Sequence, residues 1–302
     1  MREENEILRK YNIHPKKYKK LKNATYIETE TGKYIIKKNT QDNEIREYLK
    51  SKNFNHIPVS ITDPEEEYEI TKYIEEYRIP REQKIIDLAT IISLLHTKTT
   101  HYKEITDEEY NEIYDELKNK IENLYNYYIE LITIIESKVY MSPCEYLIAR
   151  NISVVFQALE VSKEELENWH KSVKNDTKQR LVVLHNNLEL DHFIGNNLIS
   201  WDNAKIGMPI YDIYKLYKKH ALEFEFSEVL KAYEKHYPLT ENEKQLLFIL
   251  MKIPPKIEMN NTEYENTKEA GKRIEYIYKS MKLTSPKDFN KRPENNANKN
   301  KN

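Results

Sequence analysis

The dominant hydrophobic period of the chain changes near "RIP" (residues 78–80), and that change limits the fold more than any other feature. Before it, apolar residues recur at every second position. In "ATYIETETGKYIIKK", Tyr34 and Ile36 alternate with Ile35 and Lys37 after a turn at Thr31-Gly32. Such alternation puts successive side chains on opposite faces of a strand. "IPVSIT" and "EYEITKYI", parted by the acidic "DPEEE", read as a second strand pair. Between the two pairs, "DNEIREYLKSKNF" carries Ile45, Tyr48 and Leu49 at helical spacing. Past residue 80 the period becomes 3.6. "KIIDLATIISLLH" sets Ile85, Leu88, Ala89, Ile92 and Leu95 on one face, and a long helix follows through Leu117, Ile121, Leu124 and Tyr128. Capping boxes at Thr106–Glu109, Ser162–Glu165 and Thr240–Glu243 mark helix starts, and Pro143 marks another. The expected class is α+β. A small lobe over 1–78 holds an antiparallel sheet and one helix, and a mainly helical lobe spans 79–283. The tail over 284–302 has almost nothing to bury and is expected to be disordered.

The bulk numbers remove several function classes. Forty-eight basic and 50 acidic side chains leave a net charge of −2, so no basic excess favours nucleic acid. The cluster "HPKKYKKLK" reads as a solvated face, with a phosphate or membrane contact as the alternative. Cys144 is the only cysteine, which leaves no intrachain disulfide and no cysteine metal cluster; it reads as a small core residue of a helix. No secretory h-region opens the chain, and its apolar runs fall short of the roughly 20 residues of a membrane helix. A soluble cytoplasmic protein without nucleic-acid partners is expected.

The segment most suggestive of chemistry is "LVVLHNNLELDHF" (181–193), a strand-like run that delivers a histidine to a polar loop. "HNNLELDHF" (185–193), "LISWDNA" (198–204) and "GMPIYDIYKLY" (207–217) stand in that order. Together they resemble the signature of the aminoglycoside phosphotransferase and choline kinase-like family. That family writes H-G-D-L-x-x-x-N-[IVF], then [IV]-D-[WF]-[ED]-x-A, then G-x-P-x-x-D-[IL]. The resemblance covers about residues 20–250 and is specific as an ordered set. It implies a two-lobed protein-kinase-like fold whose members use ATP and Mg²⁺ to phosphorylate small-molecule hydroxyls. It also takes in spore-coat and other degenerate relatives, so it implies the fold more firmly than the activity.

Carried over position by position, Lys37 of "GKYIIKK" matches the lysine that contacts ATP phosphates; a plain strand-edge lysine is the alternative. Glu44 matches its helix carboxylate partner, with Asp42 and Glu47 as alternatives. Tyr73 and Ile74 of "TKYIEE" match the nucleotide-side hinge. His185 matches the histidine that braces the loop. Asp212 matches the aspartate supporting that loop, although a helix N-cap would equally use it.

Three operative positions have changed. The catalytic aspartate falls on Asn187, the metal-binding asparagine on His192 and the metal-binding aspartate on Ser200. An amide has no useful proton affinity near neutral pH and cannot serve as general base. Mg²⁺ prefers hard oxygen ligands, which imidazole is not, and a serine hydroxyl does not neutralise it. Two substitutes stand nearby. Asp202, two residues past Ser200, would share its face on a strand and could be a metal ligand, and Asp191 could act as a base. A His185–His192 metal pair has no recognised ligand spacing. Residues 1–31 hold no glycine, so the segment matching the ATP-covering loop lacks a close-approach residue. The resemblance therefore implies a pseudokinase, without phosphoryl transfer. It would bind ATP, another small molecule or a protein, with Mg²⁺ held weakly or not at all. An active divergent kinase using Asp202 is the first alternative, and a structural protein with a self-filled cleft the second.

Overall fold

The computed structural model describes residues 2–21, 23–39 and 43–284. Beyond Thr284 the expected disordered tail lies outside the described residues, as does Asp42. In chain order the first elements are α1 (Arg2–Lys10), β1 (Lys17–Lys20), β2 (Thr25–Glu28), β3 (Lys33–Lys38), α2 (Asn43–Ser51), β4 (Tyr68–Lys72) and α3 (Arg81–Thr99). There follow β5 (His101–Glu104), α4 (Asp107–Glu136), α5 (Pro143–Val173), β6 (Lys178–Leu184), β7 (Phe193–Ile194), β8 (Asn197–Leu198) and β9 (Lys205–Gly207). Helices α6 (Ile210–His220), α7 (Phe226–Glu234), α8 (Glu241–Lys252) and α9 (Glu263–Leu283) come last.

Strands β1 to β4 form one antiparallel sheet in chain order. Its register puts Ile36 opposite Ile70, and these two with Ile27 form a buried cluster that receives Ile7 and Leu8 of α1. Helix α1 leaves no clear periodic stripe in the sequence, because its few apolar residues are too close together. Packing on the sheet, rather than intrinsic propensity, accounts for so short a helix. The lysine cluster becomes β1, exposed at every position on the sheet edge, where charged side chains discourage pairing with another chain.

Two local expectations need correction. "IPVSIT" contributes only an isolated bridge, Ser60 to Thr71, in place of a strand. Pro58 has no N–H for a ladder, and its carbonyl is taken by the Arg46 guanidinium at 2.9 Å. The box at Ser162 starts nothing, since α5 runs unbroken from Pro143 to Val173 with Ser162 buried inside it. Its buried stripe through Val155, Leu159 and Leu166 continues across that position, so burial overrides the local cap signal. Capping boxes do open α4 at Thr106 and α8 at Thr240, and further ones open α5 at Ser142 and α9 at Thr262.

The backbone separates into two compact units that do not follow chain order. The first comprises Met1–Lys103, Arg180–Lys215 and Glu228–Pro238, and the second Glu104–Gln179, Leu216–Ser227 and Leu239–Asn302. In the second unit, α4, α5, α8 and α9 are tied by buried polar contacts. The Tyr128 hydroxyl donates to the Pro255 carbonyl at 2.7 Å and accepts the Ile257 N–H at 3.0 Å. The Trp169 indole N–H donates to the Asn242 carbonyl. Cys144 is buried in the first turn of α5, and burial pushes its thiol pKa up, which suits packing rather than reactivity. Among the described residues, no helix is long and apolar enough to cross a membrane.

Candidate functional site

Every residue singled out above for chemistry lies in the first unit, apart from Asp42, which is not described. The site begins with β6, whose last residues Val182, Val183 and Leu184 are fully buried and deliver His185 to the interior. β6 pairs antiparallel with β9, and Gly207 lies directly against Leu184. The loop after β6 is held from beneath by Asp212, which sits within the first turn of α6 rather than ahead of it. Its carboxylate accepts the backbone N–H of His185 at 2.8 Å and that of Asn186 at 2.7 Å. His96 of α3 reaches the same carboxylate through Nε2 at 3.3 Å, while its Nδ1 meets the Tyr233 hydroxyl at 2.6 Å. His96 and Asp212 are completely buried, so this polar chain replaces water as the partner of an interior carboxylate.

The loop itself is closed by its own side chains. Asn186 adopts φ 61°, a left-handed conformation that asparagine tolerates better than most residues, and donates through Nδ2 to the Asn203 carbonyl at 2.8 Å. Lys215 caps the Asn186 carbonyl at 3.1 Å. The His185 ring donates from Nε2 to the Ile199 carbonyl at 2.9 Å and packs edge-on against Trp201. Burial holds its pKa below the ordinary value, against an opposing pull from Asp212. The His192 ring donates from Nδ1 to the Asn187 carbonyl at 2.8 Å, which joins these two loop positions to each other. The Asn187 side chain makes no hydrogen bond among the described residues. Asp191 is exposed on the short 3-10 turn Leu190–His192.

Ser200 and Asp202 do not share a strand. Ser200 is left-handed, at φ 64° and ψ 56°, and it precedes a second 3-10 turn, Trp201–Asn203, which carries Asp202. Period-two reasoning therefore does not apply there. Asp202 nonetheless reaches Lys37, with Oδ1 3.4 Å from Nζ. Another carboxylate beside Lys37 is that of Glu69, at 3.9 Å. Lys37 and Glu69 face each other in the β3–β4 register, so the strand pairing itself brings them together. Glu69 is 3% exposed, and its second oxygen is held by Arg46 of α2, itself 11% exposed.

On the helix, Glu44 is exposed, and Glu47 pairs with Lys50 at 2.7 Å. The helix supplies a cation and the neighbouring strand the acid. Glu69 could have been found in the sequence as the polar residue of "YEITK" nearest the lysine in a hairpin-like register, and His96 as a lone histidine on the apolar stripe of α3. Neither signal is strong enough to choose a partner.

Tyr73 and Ile74 follow β4. Tyr73 donates its N–H to the Lys33 carbonyl and sets its half-exposed ring edge-on to Tyr26. Ile74 packs on the β7–β8 hairpin, where Gly195 and Asn196 turn with φ 52° and 64°, as a two-residue type I′ turn requires. A Cβ on Gly195 would lie 2.6 Å from Ile74 Cγ2.

The side chains near Lys37 and the loop can be weighed as ligands of a cation or of an anion. Among the described residues, no group of three or more His, Cys, Asp or Glu side chains could hold a metal ion. Asp202 offers one carboxylate already paired with a lysine, and His192 spends Nδ1 on a loop carbonyl. For an anion, Lys37 presents a cation only 21% exposed with its stem on β3.

No family model matches the chain, and no curated protein matches it in sequence. Solved structures do match in fold. An aminoglycoside phosphotransferase from Alicyclobacillus acidocaldarius is 9% identical, with 91% of this chain and 90% of that one covered, at a TM-score of 0.64. The AMP-bound complex of a spectinomycin phosphotransferase is 13% identical, covering 93% and 94%, at 0.50. A choline kinase from Streptococcus pneumoniae is 18% identical, covering 90% and 98%, at 0.46. With its small antiparallel sheet and larger helical part, the chain has the two-lobed, kinase-like fold of the aminoglycoside phosphotransferases.

Proposed function

We propose that this protein is a pseudokinase of the aminoglycoside phosphotransferase type, which binds a nucleotide through Lys37 and does not transfer its phosphoryl group. The observation that carries this reading is the hydrogen bond from His192 to the Asn187 carbonyl, which joins the positions of base and metal ligand to each other. Phosphoryl transfer depends on positioning and on neutralising charge around Mg²⁺. Asn187 cannot take a proton, Ser200 cannot neutralise a cation, and His192 is a poor Mg²⁺ ligand. Loss of general-base help alone costs about 10²–10⁴-fold in rate. Nucleotide as the ligand is supported by Lys37 on β3 and by the fold shared with a phosphotransferase described as AMP-bound.

A second reading, an active divergent kinase, is favoured by one feature: Asp202 is a 39% exposed carboxylate beside Lys37. Binding and turnover separate the two. ATP affinity should be similar with Mg²⁺ and with EDTA, and no aminoglycoside, choline-like alcohol or sugar should be phosphorylated. Turnover at about 1–100 per second, abolished by Asp202→Ala, would establish the active kinase instead. Absence of any nucleotide binding would favour a structural protein.

A further inference from the structure

Lys37 sits between two carboxylates that differ in what they can do. Arg46, Glu69, Lys37 and Asp202 form a row of two cations and two anions, with Arg46 on Glu69 at one end and Lys37 on Asp202 at the other. Glu69 is 3% exposed and bound to Arg46, so it cannot move away without stranding a buried cation. Asp202 is on the solvent side of the row, carried by a short 3-10 turn that follows left-handed Ser200. Of the two, Asp202 is much the more exposed, at 39% against 3%.

The distances add to the asymmetry. Lys37 Nζ is 3.4 Å from Asp202 and 3.9 Å from Glu69 Oε2, both longer than the roughly 2.7–2.9 Å of a charge-assisted hydrogen bond. Among the described residues, Glu69 Oε2 is a buried oxygen without a hydrogen-bond partner. A lysine released by Asp202 needs to move only about an ångström toward Glu69 to satisfy that oxygen. It would then be aligned against a fixed carboxylate, with its outer face turned to a new anion.

We propose that Asp202 is an internal competitor for the anion site on Lys37 rather than a metal ligand. It holds the position of a ligand phosphate, and a metal-free nucleotide binds by displacing it, with Glu69 retaining the lysine. The inference rests on the nucleotide reading of the site and sets its regulation: affinity is lowered by the fraction of time that Asp202 holds Lys37. Its sign is opposite to that of a metal-ligand role. Neutralising Asp202 removes a competitor and a repelling charge, and so tightens metal-free binding.

The test is equilibrium binding of ADP to the full chain by calorimetry, in EDTA and again in Mg²⁺. It compares the unaltered protein with Asp202→Asn and with Lys37→Met in both backgrounds. Circular dichroism and thermal midpoints establish that each variant is folded. In EDTA, Asp202→Asn should bind ADP about fivefold more tightly, given a partly exposed ion pair and a removed like charge. Lys37→Met should abolish binding with or without Asp202. The gain should shrink as salt is raised, since the pair is screened. Equal or weaker ADP binding by Asp202→Asn in EDTA overturns the inference and leaves the nucleotide site standing. Weakening confined to Mg²⁺ overturns it in favour of a metal ligand. If none of the folded proteins binds ADP, the nucleotide reading and this inference fall together.

Discussion

Replacing Arg46 by Met should reveal how much the first unit depends on its buried ion pair. Arg46 holds Glu69 with one guanidinium nitrogen and the Pro58 carbonyl with the other, at 2.9 Å, and both charged side chains are almost out of solvent. Methionine keeps much of the stem volume, so packing changes little while the charge is removed. Glu69 is then left with Lys37, 3.9 Å away, as its nearest cation. Removing one partner of a buried pair typically costs about 3–5 kcal/mol. With Lys37 compensating in part, the expected loss is about 2–4 kcal/mol, which a domain of typical stability survives. Urea unfolding can be followed by Trp201 fluorescence in a Trp169→Phe background, because the two tryptophans lie in different units. Pairing Arg46→Met with Glu69→Leu should recover most of the loss, since an apolar pair needs no desolvated charge. A single-variant loss below about 1 kcal/mol, or a double variant no better than the single, would refute the argument.

Gly195→Ala should lower stability by about 1–3 kcal/mol, from a positive φ and a Cβ 2.6 Å from Ile74; an unchanged unfolding midpoint would contradict it. Asp212→Asn should cost about 3 kcal/mol or more, because an amide turns one NH₂ toward groups that already donate. Hydrogen exchange at His185 and Asn186 should accelerate in that variant, and unaltered protection there would count against the supporting role. His185 is held neutral by burial, with its pKa below the ordinary 6.5. The unfolded chain therefore takes up more protons just below pH 6.5, and stability should decline as pH falls through that region. His185→Gln, which keeps a donor for the Ile199 carbonyl, should flatten that decline, and an identical pH profile in the variant would assign the decline to other groups.

Much of the fold was legible because it follows from local pattern. The alternation in "ATYIETETGKYIIKK" corresponds to β2 and β3, and the 3.6 period after residue 80 to α3. Where local signals competed with burial, burial decided. Ser162 has the cap pattern, yet a continuous apolar stripe carries α5 through it. Around the loop, the chain alone shows an amide at Asn187, an imidazole at His192 and a hydroxyl at Ser200, and residue type limits proton affinity and ligand hardness. That Lys37 would lie beside Glu69 and Asp202 could not be read there.

The sequence by itself determined the α+β pattern and the order of the loop motifs, because these depend on periodicity and side-chain chemistry. Only the tertiary structure decided that Arg46 and Glu69 share a buried pair, that His96 and Asp212 brace the loop, and that Asp202 lies on a 3-10 turn beside Lys37. Those contacts join residues 23 to 165 positions apart. No local period reports such separations, and their energies depend on burial that exists only once the chain has folded.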